Sequence, residues 1–174
     1  MNMEQLMTFL TGAIQPALQQ LGLDLEPGAR TAAELLLLGT GLAESGYLRR
    51  EQTGGGPALG YWQMEPFTHD DIWKTYLPAR HSLAQALARI GGLAYPVTSI
   101  PPASLLTHSN PYAAAMARIK YRRSPRSLPD ADDFDGMGRM WVEVYNAGGA
   151  ATLARWRAEV EPALAAVAQT MTGG

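Results

Sequence analysis

Cysteine is absent from this 174-residue chain, and its absence excludes two kinds of site. Without thiols the protein has neither a disulfide framework nor a thiolate-bound metal ion. The redox compartment stays open, because a cysteine-free chain works equally well on either side of a membrane. Neither sign of charge predominates. The net charge of −2 at pH 7 argues neither for nor against a polyanionic partner.

Long hydrophobic runs are missing as well. No uninterrupted apolar run, the four leucines at 35–38 included, approaches the roughly 18 residues that a membrane span needs, so we expect no membrane insertion. The N-terminal segment MNMEQLM lacks the positive region and the apolar stretch of a secretory signal. If the substrate lies outside the cytoplasm, we expect a route other than a signal peptide.

The residues that are present predict a mainly α fold in a single domain over 1–174. With 47% hydrophobic and 17% charged residues, the composition is that of a globular protein with a real core. Apolar residues at helical spacing predict helices over about 3–21, 31–44, 67–76, 81–91, 111–123, 132–146 and 151–170. Pro16 predicts a kink or a break in the first helix. Asn110 suits an N-cap, with Pro111 as the first helical residue.

The helix predicted over 31–44 is rich in Ala and Leu and apolar on nearly every side, which indicates a buried central helix. Gly46 suits its C-terminal cap and so places Glu44 in its last turn. The following segment, 47–65, contains the loop signal TGGGP at 53–57. We therefore expect helices around one buried helix, with a small irregular or β lobe near 47–65.

Glu44 is the first residue that suggests chemistry. Burial at the end of an apolar helix and the negative end of the helix dipole both favour a protonated carboxylic acid. Such an acid can donate a proton to a glycosidic oxygen. Taken alone, the feature is weak, because a surface Glu followed by a Ser-Gly helix stop is the commoner case.

Two later segments add polar groups. In GYWQMEPFT (60–68), Gly60 allows a ligand to approach the backbone closely, and Gln63 offers an amide suited to sugar hydroxyl and acetamido groups. In YNAGG (145–149), the phenol of Tyr145 and the amide of Asn146 would point into a cleft. The alternative for this last segment is a core tyrosine followed by a helix cap.

Glu-Ser at 44–45, Gly-x-x-Gln-Met-x-Pro-x-Thr at 60–68 and Tyr-Asn-Ala-Gly at 145–148, in this order, resemble the superfamily of soluble lytic transglycosylases and goose-type lysozymes. The resemblance spans about 31–157 and includes ATLARW at 151–156. Small phage-encoded members are similar at 54–66 and 110–122. The chain departs from the pattern at Tyr61-Trp62 (usually Leu-Met), Val144 (Ala) and Gly149 (Pro).

The resemblance implies a lysozyme-like fold and a peptidoglycan-cleaving activity without metal or cofactor. Glu44 would protonate the oxygen between N-acetylmuramic acid and N-acetylglucosamine, then accept the proton of the muramic acid 6-hydroxyl as a 1,6-anhydro ring closes. Tyr145 would hydrogen-bond Glu44. The remaining expected substrate-binding or site-holding residues are Ser45, Gly60, Trp62, Gln63, Met64 and Asn146. Beside Gln63, Trp62 suits stacking on a sugar ring.

A second carboxylate would distinguish hydrolysis, which needs a group to position water, from anhydro-ring formation, which uses the substrate's own hydroxyl. The candidates are Glu51, Glu65, Asp70 and Asp71. Glu51 follows two arginines and is expected to be paired or solvated, and the two aspartates are expected in the first turn of a helix. None has a clear catalytic role, which favours a transglycosylase over a hydrolytic lysozyme.

Other chemistry-bearing residues predict less. His69, His81 and His108 are too scattered for a metal site, and His69 is expected at a helix start. The basic run from Arg118 to Arg126 favours a solvated helix face over contact with an acidic partner or the anionic wall. Trp73, Trp141 and Trp156 are expected in the core.

The sequence thus predicts a phage-encoded lytic transglycosylase that opens peptidoglycan locally. It would be carried in the virion and act in the host periplasm or cell wall during DNA entry, or leave the cell through a holin pore at lysis. Expected partners are glycan strands and other virion proteins of the tail or portal, without nucleic acid. The rival hypothesis is a virion structural or adaptor protein with this fold and little activity.

Overall fold

The computed structural model describes residues 1–52 and 54–173, so the part of the expected turn that falls on Thr53 lies outside the described residues. The fold is mainly α, as the sequence predicted. Nine helices occur in the described residues: α1 (Met3–Phe9, Leu10–Ile14 and Gln15–Leu21), α2 (Pro27–Ser45), α3 (Pro66–Asp71 and Ile72–Tyr76), α4 (His81–Ile90), α5 (Leu105–His108), α6 (Asn110–Arg122), α7 (Phe134–Met140 and Trp141–Tyr145), α8 (Leu153–Glu159) and α9 (Glu161–Thr172). No helix among them is long and apolar enough to cross a membrane.

Helix α2 is the buried central helix that the sequence predicted. Its leucines at 35–38 are fully buried, and burying each side chain contributes about 2 kcal/mol. The helix packs against α1, α6, α8 and α9. It begins at Pro27, four residues before the predicted start, because proline suits the first helical turn. It ends as predicted at Gly46, which has a φ of 59° and donates its N–H to Leu42.

Three local expectations were wrong. The break expected at Pro16 is absent: the π-helical segment Leu10–Ile14 continues directly into Gln15–Leu21, and Pro16 lies in the first turn of the latter. The last predicted helix is two helices that separate at Val160, since Pro162 disfavours an uninterrupted helix. Ser109 caps α6 by accepting the N–H of Tyr112, which makes Asn110 the first helical residue.

The segment between α2 and α3 forms the irregular lobe that the sequence predicted. Within its described residues, antiparallel pairing is limited to two isolated bridges, between Glu51 and Leu59 and between Leu59 and Met64. A tight turn follows, in which the N–H of Gln63 bonds to the carbonyl of Gly60 at 3.1 Å. This turn carries the central part of the GYWQMEPFT motif.

An aromatic cluster holds the lobe against the helices. Phe9 of α1 stacks on Tyr47 with ring centroids 4.2 Å apart and meets Tyr61 edge-on at 5.1 Å. The Trp62 ring packs edge-on against Tyr47 at 5.7 Å. The Tyr47 hydroxyl donates to the carbonyl of Leu38 in α2 at 3.1 Å. The bulky Tyr61-Trp62 pair is therefore used for packing.

Candidate active site

Glu44 lies at the junction of the lobe and the helical body. It is in the last turn of α2, half-buried, directly before Ser45 and the left-handed Gly46. The Ser45 hydroxyl donates to the carbonyl of Tyr61 at 2.7 Å. This bond ties the end of α2 to the turn that carries Gln63.

One oxygen of the Glu44 carboxylate is held by two donors from the end of α7. The Trp141 indole Nε1 donates to Oε1 at 2.8 Å, and the Asn146 Nδ2 donates to the same oxygen at 3.0 Å. The other oxygen, Oε2, has no hydrogen-bond partner among the described residues. The carboxylate is thus fixed in orientation and keeps one oxygen for a ligand.

Glu44 lines a groove made of three adjoining cavities. The central cavity, about 320 Å³, is lined by Glu44, Gln63, Glu65, Lys120, Tyr145 and Asn146, among others. It shares residues with a lobe-side cavity of about 450 Å³, which reaches Arg49 and Gln52. It also shares residues with a cavity of about 530 Å³ at the other end, which reaches Arg123 and Arg126. An extended ligand lying in this groove would cross Glu44 near its middle.

A cavity of about 570 Å³ lies elsewhere, beside the ion pair of Arg118 and Asp24. The two nitrogens Nε and Nη2 of Arg118 each donate to an Asp24 oxygen at 2.7 Å, and both side chains are buried. Because this bidentate pair is satisfied internally, it does not mark a reactive site. The groove at Glu44 is the better candidate.

Gln63, an expected substrate-binding residue, lines the groove beside Glu44. Its backbone φ of 46° is in the left-handed region, which costs a non-glycine residue about 1 kcal/mol. Its side-chain Nε2 donates to the carbonyl of Gly60 at 2.8 Å. That bond fixes the orientation of the side-chain amide within the turn.

The expected hydrogen bond between Tyr145 and Glu44 is not formed. Tyr145 donates its hydroxyl to the carbonyl of Trp62 at 2.7 Å instead. Burial raises the pKa of the Tyr145 phenol well above its ordinary value, so the hydroxyl remains a donor. Tyr145 still lines the groove, and its bond joins α7 to the turn that carries Gln63.

Trp62 was expected to stack on a sugar ring, and the structure contradicts this. The side chain is 1% exposed, and its Nε1 donates to the carbonyl of Leu37 at 2.9 Å. Ser45 and Met64 are also buried. At Gly60 the backbone approaches the carbonyl of Leu106 and not a ligand: an added Cβ would lie 2.2 Å from that oxygen. These four residues are not among those that line the groove, and they pack within the protein next to it.

Glu65 is the one candidate second carboxylate that lines the groove in the described residues. It borders both the central and the lobe-side cavity, as Glu44 does. Glu51 is exposed outside the groove. Asp70 accepts from His69 at 2.7 Å, and Asp71 from Arg123 at 2.8 Å. Both aspartates follow the first turn of α3, which begins at Pro66, so their expected place was wrong.

The basic run was expected on one solvated face, but its members differ. Arg118 is buried against Asp24, whereas Arg122 is exposed. Lys120 is half-buried and lines the central cavity. Burial lowers the pKa of Lys120, and the carboxylates of Glu44 and Glu65 oppose that shift. No feature of the sequence distinguishes Lys120 from the other members of the basic run.

Trp141 is the second site residue that sequence reasoning missed. It was correctly placed in the core, since it is fully buried, but its indole N–H reaches Glu44. The one signal in the sequence was that Trp141 precedes Asn146 by five residues. That spacing brings the two side chains to one side of the helix only when the intervening turn is π-helical.

His69 does not start a helix. It is the fourth residue of α3 and is fully buried, with Nε2 2.8 Å from the Tyr112 hydroxyl. Across residues 1–52 and 54–173, no group of three or more His, Asp or Glu side chains could hold a metal ion. His69 is therefore part of a packed polar network.

The arrangement around Glu44 suits proton transfer. One carboxylate oxygen is oriented by two N–H donors, the other has no hydrogen-bond partner among the described residues, and Gln63 and Asn146 line the same cavity as Glu44. A group placed in this way can give a proton to a bound ligand and take one back. The chain matches none of the family models, curated proteins or solved structures with which it was compared.

Proposed function

We propose that the protein is a peptidoglycan lytic transglycosylase with a lysozyme-like fold, in which Glu44 is the general acid and base. The observation that carries the proposal is the Glu44 carboxylate itself. Its Oε1 is held by Trp141 and Asn146, its Oε2 has no hydrogen-bond partner among the described residues, and Glu44 lines two adjoining cavities. The ordered motifs at 44–45, 60–68 and 145–148 support the same activity, because they contribute Glu44, Gln63, Tyr145 and Asn146 to one groove.

In the proposed reaction, protonated Glu44 gives its proton from Oε2 to the oxygen between N-acetylmuramic acid and N-acetylglucosamine. The C1–O bond breaks, and an oxocarbenium-like sugar remains on the muramic acid side. Glu44, now a carboxylate, accepts the proton of that sugar's 6-hydroxyl, and the hydroxyl oxygen bonds to C1. The products are a new N-acetylglucosamine end and a 1,6-anhydro-muramic acid end, and no water is consumed.

Hydrolysis is the second candidate, and Glu65 is the observation that favours it. Glu65 lines the same two cavities as Glu44, so a water molecule between the two carboxylates could attack C1. The product would then be a reducing sugar in place of an anhydro ring. Inverting and retaining pathways both need such a second carboxylate.

The biological setting belongs to the proposal as well. The similarity to small phage-encoded enzymes favours a protein carried in the virion, beside tail or portal proteins. It would open the host cell wall from the periplasmic side during DNA entry. Release at lysis is the other delivery, and both use the same groove and the same glycan substrate.

The test is a digestion of purified sacculi with the wild type and with Glu44→Gln, followed by mass spectrometry of the soluble products. Glu51→Gln is the matched control, since Glu51 is exposed outside the groove. Anhydro-muropeptides from the wild type and the control, and none from Glu44→Gln, are the expected result.

The other outcomes each decide something. Reducing ends that depend on Glu44 would replace transglycosylation with hydrolysis, and loss of these ends in Glu65→Gln would identify the second carboxylate. No release by a correctly folded wild type would overturn the enzymatic proposal. A structural or adaptor role in the virion would then be the better account.

A further inference from the structure

Lys120 is a cation held inside the groove without a carboxylate partner. It is on α6, half-buried, and borders both the central cavity and the cavity at the arginine end. Its Nζ lies 4.0 Å from the centroid of the Tyr145 ring, a cation–π contact that fixes the ammonium in place. No acidic side chain in the described residues is within ion-pair distance of it, although the neighbouring cations Arg123 and Arg126 are paired.

The surroundings make this ammonium suited to a negatively charged ligand. Arg123 and Arg126 border the same end of the groove, but each is paired with one carboxylate, Asp71 and Glu143, so their formal charges are offset. Among the described residues, this leaves Lys120 as the cation at that end without a paired carboxylate. Lys120 is half-buried, and this burial lowers the pKa of its ammonium, against the effect of the Glu44 and Glu65 carboxylates. A partly desolvated cation gains more from a charge-assisted hydrogen bond than an exposed one does.

We infer that Lys120 binds a carboxylate carried by the glycan strand and so fixes which part of the strand lies at the arginine end of the groove. This inference rests on the proposed function. Two carboxylates are available on peptidoglycan: that of the lactyl group on muramic acid where the peptide is missing, and those of the peptide where it is present. Both would bind the ammonium through the same chemistry.

A purely local role for Lys120 has a different consequence. If the ammonium acted only on Glu44, its removal would change the binding affinity of every ligand equally, charged or neutral. If it binds a ligand carboxylate, its removal weakens only ligands that carry one. Neutral and charged versions of the same strand therefore separate the two roles.

The experiment measures binding of defined strands to the full chain carrying Glu44→Gln, so that no turnover is needed. The probes are peptide-free glycan strands, the same strands with their lactyl carboxylates converted to methylamides, and peptide-bearing strands. Lys120→Gln is compared with Lys74→Gln, because these are the two lysines of the sequence and Lys74 is exposed outside the groove. Lys120→Arg keeps the positive charge.

We expect Lys120→Gln to weaken binding of carboxylate-bearing strands about tenfold, the size of one charge-assisted hydrogen bond. The affinity for the methylamide strands should change less than about twofold. Lys74→Gln should have no effect on binding, and Lys120→Arg should recover part of the lost affinity. A loss confined to peptide-bearing strands identifies the peptide as the source, and a loss on peptide-free strands identifies the lactyl group.

Equal losses on charged and neutral strands, no loss in any strand, or no binding at all would overturn the inference. Failure of the proposed function looks different. In that case carboxylate-bearing strands bind in a Lys120-dependent manner, but the protein with Glu44 intact never cleaves them.

Discussion

Asn146 donates its backbone N–H to the carbonyl of Trp141, five residues earlier, at 2.9 Å. In a regular α-helix these positions are about 140° apart around the axis, and their side chains would point in different directions. The wider π turn brings them to the same side of α7, where both side chains donate to Oε1 of Glu44. The irregular turn is therefore what lets one helix end orient the candidate acid twice.

The first prediction concerns the Trp141 indole. Trp141→Phe removes one of the two donors that orient Glu44 but leaves an aromatic ring in the core. Because a hydrogen bond to a charged group contributes about 1.5–3 kcal/mol, kcat should fall roughly 10- to 100-fold. Trp141 does not line the groove, so KM should change little. Steady-state kinetics on soluble glycan strands measures both constants.

Trp156→Phe is the matched control for this substitution. The Trp156 ring packs 5.6 Å from that of Trp141 and is equally buried, but its Nε1 donates to the carbonyl of Phe134. Both variants lose the same volume and one buried N–H, so their stabilities should be similar. If Trp156→Phe lost as much kcat as Trp141→Phe, packing and not the bond to Glu44 would be the cause.

The second prediction separates Tyr145 from the proton transfer. Tyr145→Phe removes the donor to the Trp62 carbonyl, and an unsatisfied buried carbonyl costs about 1–3 kcal/mol of folding free energy. The turn that carries Gln63 should loosen, so KM should rise more than kcat falls. The pH dependence of kcat should keep its shape. A shifted pH profile would instead support the direct contact with Glu44 that the sequence suggested.

Much of the helical frame could be predicted from the sequence, for physical reasons that are local. Four consecutive leucines at 35–38 face every side of a helix, so the helix that carries them must be buried all round. Gly46 then provides the left-handed cap that ends α2. The position of Glu44 in the last turn before that cap is local as well, but the chemical roles of Glu44 and Gln63 are suggested by the ordered motifs at 44–45, 60–68 and 145–148. Both line the groove.

The errors concern residues whose partners are distant in the sequence. The position of Trp62 beside Gln63 suggests contact with a ligand, yet its partner is the carbonyl of Leu37, 25 residues away. Lys120 looked solvated because its neighbours are basic, yet its contact is the ring of Tyr145. Helical periodicity contains no information about such pairs, which depend on how α2, α6 and α7 pack.

The third prediction follows from the proton positions around His69. The Trp73 Nε1 donates to the Tyr112 hydroxyl at 2.8 Å, so the hydroxyl proton is donated to Nε2 of His69. His69 then holds its own proton on Nδ1 and donates it to Asp70 at 2.7 Å. A second proton on His69 would leave the buried Tyr112 proton without an acceptor. The folded protein therefore favours neutral His69.

Burial accordingly lowers the pKa of His69 from its ordinary value of 6.5, although Asp70 opposes the shift. The unfolded chain binds the proton first as the pH falls, so folding stability is lost below about pH 6.5 and retained above it. The slope is at most about 1.4 kcal/mol per pH unit. Urea unfolding between pH 8 and pH 5 should show a steeper loss for the wild type than for His69→Gln. Parallel curves would contradict the prediction.

The fourth prediction concerns Gly39, in the buried middle of α2. An added Cβ would lie 2.5 Å from the Trp156 ring and 3.0 Å from a methyl carbon of Leu164. Glycine inside a helix costs about 1 kcal/mol relative to alanine, so propensity alone would make Gly39→Ala stabilising. Overpacking of a rigid, fully buried ring costs about 1–3 kcal/mol and should prevail.

Gly28→Ala shows the propensity effect without the overpacking. Gly28 is in the same helix, and an added Cβ would meet nothing within 4 Å. We expect Gly28→Ala to keep or raise the unfolding free energy by up to about 1 kcal/mol, and Gly39→Ala to lower it by about 1–2 kcal/mol. Equal effects in thermal or urea unfolding would mean that α8 moves away from α2 at little cost. Loss of stability at Gly39 alone would mean that the Trp156 ring fixes how closely α2 and α8 approach, beside the Trp141 ring that orients Glu44.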